Sequence, residues 1–124
     1  MLQTLAIAAG GALGALLRYW ASNGVYFLTG RGFPYGTLFV NVTGCLIMGF
    51  LSVWLLERSL AGPALRGFLL IGVLGGFTTF SAFSMETLHL IESGQLARAL
   101  ANMLLSVLVC VGAAALGVVL GRQV

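Results

Sequence analysis

The stretch Gly72-Val-Leu-Gly75-Gly76-Phe77-Thr78-Thr79-Phe80-Ser81-Ala82-Phe83-Ser84-Met85-Glu86 decides how this chain is read. It lies inside an apolar run from about Gly67 to His89, long enough to cross a bilayer at about 20 residues per crossing. Two adjacent glycines followed by two β-branched hydroxyl residues make a poor continuous helix. Irregular backbone at membrane depth is tolerated only where protein or a cavity satisfies the freed peptide groups. The stretch therefore predicts either a helix broken around an ion-binding site or a gently kinked helix with back-bonded hydroxyls.

Outward from that segment, three more apolar runs appear: about Leu2 to beyond Trp20, Gly36 to Leu56, and Ala97 to Leu120. Residues are 60% hydrophobic, 7% are charged and the mean hydropathy is +1.07 over 124 positions. A chain this small cannot hide so much apolar surface from water, so lipid is its solvent. The expected fold is an all-α membrane protein, one transmembrane domain over residues 1–124 with four crossings. Continuous runs without period-2 alternation disfavour a β-barrel. Short loops predict that sequential helices pack as neighbours. The apolar start, without a charged leading region, argues against a cleaved signal peptide.

Six arginines, three glutamates and one histidine carry all the charge. The arginines are scattered singly, which excludes a nucleic-acid surface. Assigned by side of the membrane, Arg58, Arg66 and Arg122 fall with the N-terminus, and Arg18, Arg31 and Arg98 fall opposite. That tie predicts weak orientation preference and allows two oppositely inserted chains to pair. Glycines four apart, at Gly10/Gly14, Gly72/Gly76 and Gly117/Gly121, predict close helix packing within or between subunits. Cys45 and Cys110 read as two thiols buried in apolar runs, neither a disulfide nor a metal site.

Several side chains suit a small anion. Phe80 and Phe83 share a helix face, Phe77 extends it, and ring edges are electropositive. Ser81, Ser84 and Thr87 carry hydroxyls that either donate to an anion or bond back to the helix. Asn41 either donates its amide into a pore or ties two helices together. Thr37 and Thr43 are weaker candidates, and Asn102 and Ser106 form a polar edge on the fourth run. Arg18 either snorkels to the interface or lines a vestibule. Glu86 either pairs with an arginine, faces water or carries protons. No aspartate, phosphate loop or metalloprotease motif is present, so no enzyme constellation emerges.

At these residues the chain resembles a known family, the small bacterial fluoride channels called Fluc or CrcB proteins. The resemblance covers essentially the whole chain. It runs through Gly10-Gly11-Ala12-Leu13-Gly14-Ala15-Leu16-Leu17-Arg18-Tyr19, then Gly36-Thr37-Leu38-Phe39-Val40-Asn41-Val42-Thr43-Gly44, and is most specific from Gly75 to Glu86. It implies passive, selective fluoride export across the bacterial inner membrane, through two pores of an antiparallel, dual-topology homodimer. It further implies a fluoride pore using Asn41, Phe80, Phe83, Ser81, Ser84, Thr37, Arg18, Glu86 and Ser106. It implies a structural Na+ at the dimer centre, held by the carbonyls of Gly75 and Thr78 from both subunits. Cys110 and Ala114 stand where relatives often carry a hydroxyl track. The rival readings are a small multidrug-type cation antiporter, which needs a carboxylate in the first helix that is missing here, and a non-catalytic structural membrane subunit.

Overall fold

A computed structural model describes residues 1–124. Every regular element is helical. Helix α1 spans Leu2–Thr29. Helix α2 spans Tyr35–Glu57, its last turn, Val53–Glu57, wound as π-helix. Helix α3 covers residues 63–77: Pro63–Arg66, a π-helical stretch Gly67–Val73, and Leu74–Phe77. Helix α4 spans Ser81–Glu92 and helix α5 spans Leu96–Gln123. Four segments are long and apolar enough to cross a membrane: Leu2–Thr29, Tyr35–Glu57, Pro63–Glu92 and Leu96–Gln123. The sequence runs are recovered with ends extended by a few residues, the first by more than two turns.

Local chemistry sets the turns. Pro63 starts α3 at its first turn, where its missing N–H costs nothing. Gly94 adopts φ 79°, and the N–H groups of Gly94 and Gln95 bond to the carbonyls of Ile91 and Leu90. This left-handed cap satisfies the end of α4 and reverses the chain within three residues. Gly30, with φ 75°, ends α1 and bonds to the Tyr26 carbonyl.

The packing corrects the expectation that sequential helices are the main neighbours. The closest pairs are α1 with α3 and α2 with α5. Shape decides this rather than loop length. A Cβ on Gly72 would lie 2.8 Å from the Gly10 Cα, and one on Gly76 would lie 2.7 Å from the Gly11 carbonyl oxygen. A Cβ on Gly14 would strike the Val73 carbonyl. The other seam is built alike: Gly49 faces the Ala114 carbonyl, Gly117 faces the Leu46 carbonyl, and Gly121 faces Phe50 and Val53. The small-residue frames thus form two seams inside one chain, where lipid offers no hydrophobic drive and close contact must supply the attraction.

Much apolar surface points outward, as lipid exposure requires. Leu104, Leu108 and Val111 on α5 and Phe27 and Leu28 on α1 are all more than half exposed. The buried set is small and includes three polar residues, Thr37, Thr87 and Asn102. Asn102 donates to the Thr87 hydroxyl at 2.8 Å, and Thr87 donates to the Phe83 carbonyl at 2.7 Å. That chain of bonds ties α4 to α5 where few apolar contacts do.

Candidate functional site

Regular helix stops at Phe77 and starts again at Ser81. Thr78 is extended, with φ −84° and ψ 156°. Its hydroxyl donates to the Leu74 carbonyl at 2.9 Å, which helps close the end of α3. The carbonyls of Gly75, Phe77 and Thr78 accept no hydrogen bond within the chain.

Asn41 holds this segment from α2. Its amide nitrogen donates to the Thr79 carbonyl, and its oxygen accepts from the Thr79 N–H, both at 2.8 Å. The side chain replaces the two partners that a continuous helix would have given Thr79. Of the two sequence readings of Asn41, the helix tie is what the structure shows. The second amide N–H makes no bond within the chain, and Asn41 also lines a cavity.

That cavity, about 460 Å³, is bounded by Asn41, Thr79, Phe80, Phe83 and Ser106, with Cys45 and Cys110 in the same wall. The Phe80 and Phe83 ring centroids lie 5.3 Å apart, tilted by 45°. Phe80 is 77% exposed, so its ring is available to whatever meets this face. Phe77 does not extend the stripe; it packs toward Gly44. Gly75 and Thr78 form the cavity's edge at the helix interruption.

The hydroxyls divide. Ser81 is exposed, with only a 3.3 Å contact to the Thr79 hydroxyl. Ser84 donates to the Phe80 carbonyl at 2.9 Å, the back-bonded arrangement, and stands outside the cavity wall. Its proton is therefore already committed, which differs from a donor aimed at an anion. Ser106 lies in the wall and donates a long bond to the Asn102 side-chain oxygen at 3.4 Å.

The Arg18 Nε donates to the Gly76 carbonyl at 3.0 Å, and the residue lines neither this cavity nor the next. A guanidinium turned onto a carbonyl beside the interruption supplies a fixed donor between the two ends of the molecule. The arginines at the ends then number three, Arg58, Arg66 and Arg122, against two, Arg31 and Arg98.

A second cavity of about 440 Å³ is bounded by Tyr26, Arg31, Glu86, His89 and Arg98. Glu86 accepts from the Tyr26 hydroxyl and from the Thr37 hydroxyl, both at 2.5 Å. It pairs with no arginine; the one ion pair in the chain is Arg122 with Glu57. Thr37 is 5% exposed, so its hydroxyl is spent on this network. Arg31 stacks over the Tyr26 ring at 4.4 Å. Tyr26 is the residue that sequence reasoning missed. The available signal was a phenol near the end of an apolar helix, whose O–H needs a partner when buried.

Four apolar crossings, an interruption clamped by an amide and an aromatic-hydroxyl cavity beside it define a small polytopic membrane protein with a cavity at a break in its third crossing. The chain belongs to the CrcB family. Residues 5–118 match the family profile described as CrcB-like protein, Camphor Resistance (CrcB). It is 52% identical over 123 residues to a protein of Magnetococcus marinus named fluoride-specific ion channel FluC, covering 99% of this chain and 100% of that one. Proteins of the same name in Methylococcus capsulatus and Coxiella burnetii are 52% and 50% identical. The matches cover 98% of this chain in both cases, and 54% of the Methylococcus protein and 99% of the Coxiella one. This chain thus spans about half the length of the Methylococcus relative.

Proposed function

We propose that this protein is a passive, fluoride-selective channel that exports fluoride across the bacterial inner membrane. The observation that carries the reading is the convergence of the Asn41 amide, the Phe80 and Phe83 rings and Ser106 on one cavity at a helix interruption. The names of the half-identical relatives support the choice of anion. Fluoride is small and strongly hydrated, so its path must replace water with donors that still release it. The spare Asn41 N–H, the ring edges of Phe80 and Phe83 and the exposed Ser81 hydroxyl are such donors, and the Ser106 hydroxyl, held only by a long 3.4 Å bond to the Asn102 oxygen, can turn to join them. Ser84 and Thr37 act through the segments they brace. Arg31 and Arg98 give the second cavity a positive mouth that draws anions in. Arg18 and Glu86 bracket the route at the interruption and at that mouth.

The working unit in this reading is an antiparallel dual-topology homodimer with two pores, lying in lipid. A near-balanced arginine count supports weak orientation preference. The third crossing then works as two half-helices around an ion-binding break. The fit of a central Na+ rests on the unpaired carbonyls. Gly75 and Thr78 offer hard oxygen donors suited to such a cation, Gly75 is exposed, and a Cβ there would meet only the Leu70 oxygen, at 3.9 Å. Paired chains would double that ligand set. A bound Na+ would supply fixed positive charge and satisfy those carbonyls.

Ion efflux from liposomes holding the purified protein tests the function. Fluoride leaves without matching chloride efflux if the reading holds; equal rates for both anions defeat it. Accessibility of a C-terminal cysteine in intact cells tests the dimer. Labelling from both faces is expected, and strictly one-sided labelling contradicts dual topology.

A further inference from the structure

Cys45 and Cys110 play no part in the function above, yet the fold brings them together. Cys45 lies one turn beyond Asn41 on α2, and Cys110 one turn beyond Ser106 on α5. One turn further on each helix, Gly49 packs on the Ala114 carbonyl, and later contacts of Gly117 and Gly121 show the helices running parallel. Stepping back one turn on each sets Cys45 opposite Cys110. Both thiols line the 460 Å³ cavity. Both are free and half-buried.

We propose that Cys45 and Cys110 form a two-thiolate site, inside the Phe80–Phe83 cavity, for a soft d10 cation that favours linear two-coordination, such as Hg(II). Thiolate sulfur selects soft metals over hard ones. No third histidine, cysteine, aspartate or glutamate joins the pair, which removes the four-ligand shell a structural zinc needs. Binding is an exchange without redox change. Each S–H loses its proton to solvent, two S–Hg bonds form as the two chlorides of the incoming mercuric chloride leave, and the metal stays bound as a neutral bis-thiolate. The bound atom would occupy the wall shared with Asn41, Phe80 and Phe83, so occupancy blocks anion flow. The block rests on the channel reading; the binding does not.

The test titrates purified protein with mercuric chloride against a competing monothiol. Wild type is expected to retain one mercury per chain, with both thiols lost to maleimide together and an intact mass showing one mercury gained for two hydrogens lost. Cys45→Ser and Cys110→Ser should each hold mercury about a hundredfold or more less tightly, because a second ligand at fixed separation is removed. Two mercury atoms per wild-type chain, one thiol lost per mercury, or single variants that bind as tightly would overturn the site. The first two readings need no variant to fold. In liposomes, Hg(II) should stop fluoride efflux in wild type and spare Cys45→Ser relative to its own untreated rate. Mercury bound one per chain with wild-type efflux persisting would uphold the site and overturn the block, and with it the route through this cavity.

Discussion

The two glycine seams and the interrupted third crossing use opposite means to hold an apolar chain together. Along the seams, α1 meets α3 and α2 meets α5 with backbone touching backbone, and side-chain bonds are few: Arg18 to the Gly76 carbonyl on one seam, and Arg58 to the Gly121 carbonyl and the Arg122–Glu57 pair at the end of the other. At residues 78–80 the backbone leaves helix, and Asn41 reaches in to restore what was lost. The seams are closed and specified by shape. The interruption is open and specified by hydrogen bonds. In lipid, shape supplies stability at low chemical cost, and polar groups appear where the molecule needs a passage.

The largest effect should come from closing a seam gap. Gly14→Val or Gly117→Val drives a side chain into the Val73 or Leu46 carbonyl, where rigid backbone cannot give way, and overpacking costs about 3 kcal/mol at the upper end of its usual range. Loss of monodisperse protein in detergent chromatography is the expected readout. Gly112→Ala, where nothing lies within 4 Å, should leave the protein intact and gain up to about 1 kcal/mol of helix propensity. Equal behaviour of Gly14→Val and Gly112→Ala would erase the contrast between seam and surface.

Next comes the clamp. Asn41→Leu leaves the Thr79 N–H and carbonyl without partners, at about 1–3 kcal/mol for each group. A fall in the thermal unfolding midpoint in detergent measures it; an unchanged midpoint would mean the interruption holds itself. Glu86→Ala should cost less, about 1–3 kcal/mol in total, by stripping the acceptor from the Tyr26 and Thr37 hydroxyls. Tyr26→Phe added to that variant should then cost little more, since the two residues share one network. Smallest of all, Ser84→Ala removes a hydroxyl already spent on the Phe80 carbonyl. Stability and fluoride efflux should change by about 0.5 kcal/mol or less, roughly twofold in rate. A tenfold loss of efflux would return Ser84 to the pore as a donor.

The four crossings were legible in hydropathy alone, because length and apolar continuity suffice to mark a span. Gly75-Gly76-Phe77-Thr78-Thr79 pointed to the place where helix geometry yields. Which seams form was not legible. Gly10 and Gly72 are far apart in sequence, and only their surfaces show that they match. Short loops misled, since they limit separation without choosing a partner face. Asn41 was visible as an amide needing partners, but its partner lies 38 residues away. Arg18 was read from its place near the end of an apolar run, whereas its guanidinium turns inward to Gly76. Cys45 and Cys110 read singly as apolar filler because their proximity depends on the α2–α5 register.

The central claim is that anions pass along the interruption, over the Phe80 and Phe83 rings, and nowhere along the seams. Fluoride efflux from liposomes carrying Phe80→Ile tests it most directly, with elution size checked on the same preparation. The account predicts that efflux falls to the protein-free background while the variant elutes as wild type does. Efflux at the wild-type rate from that intact preparation would contradict it.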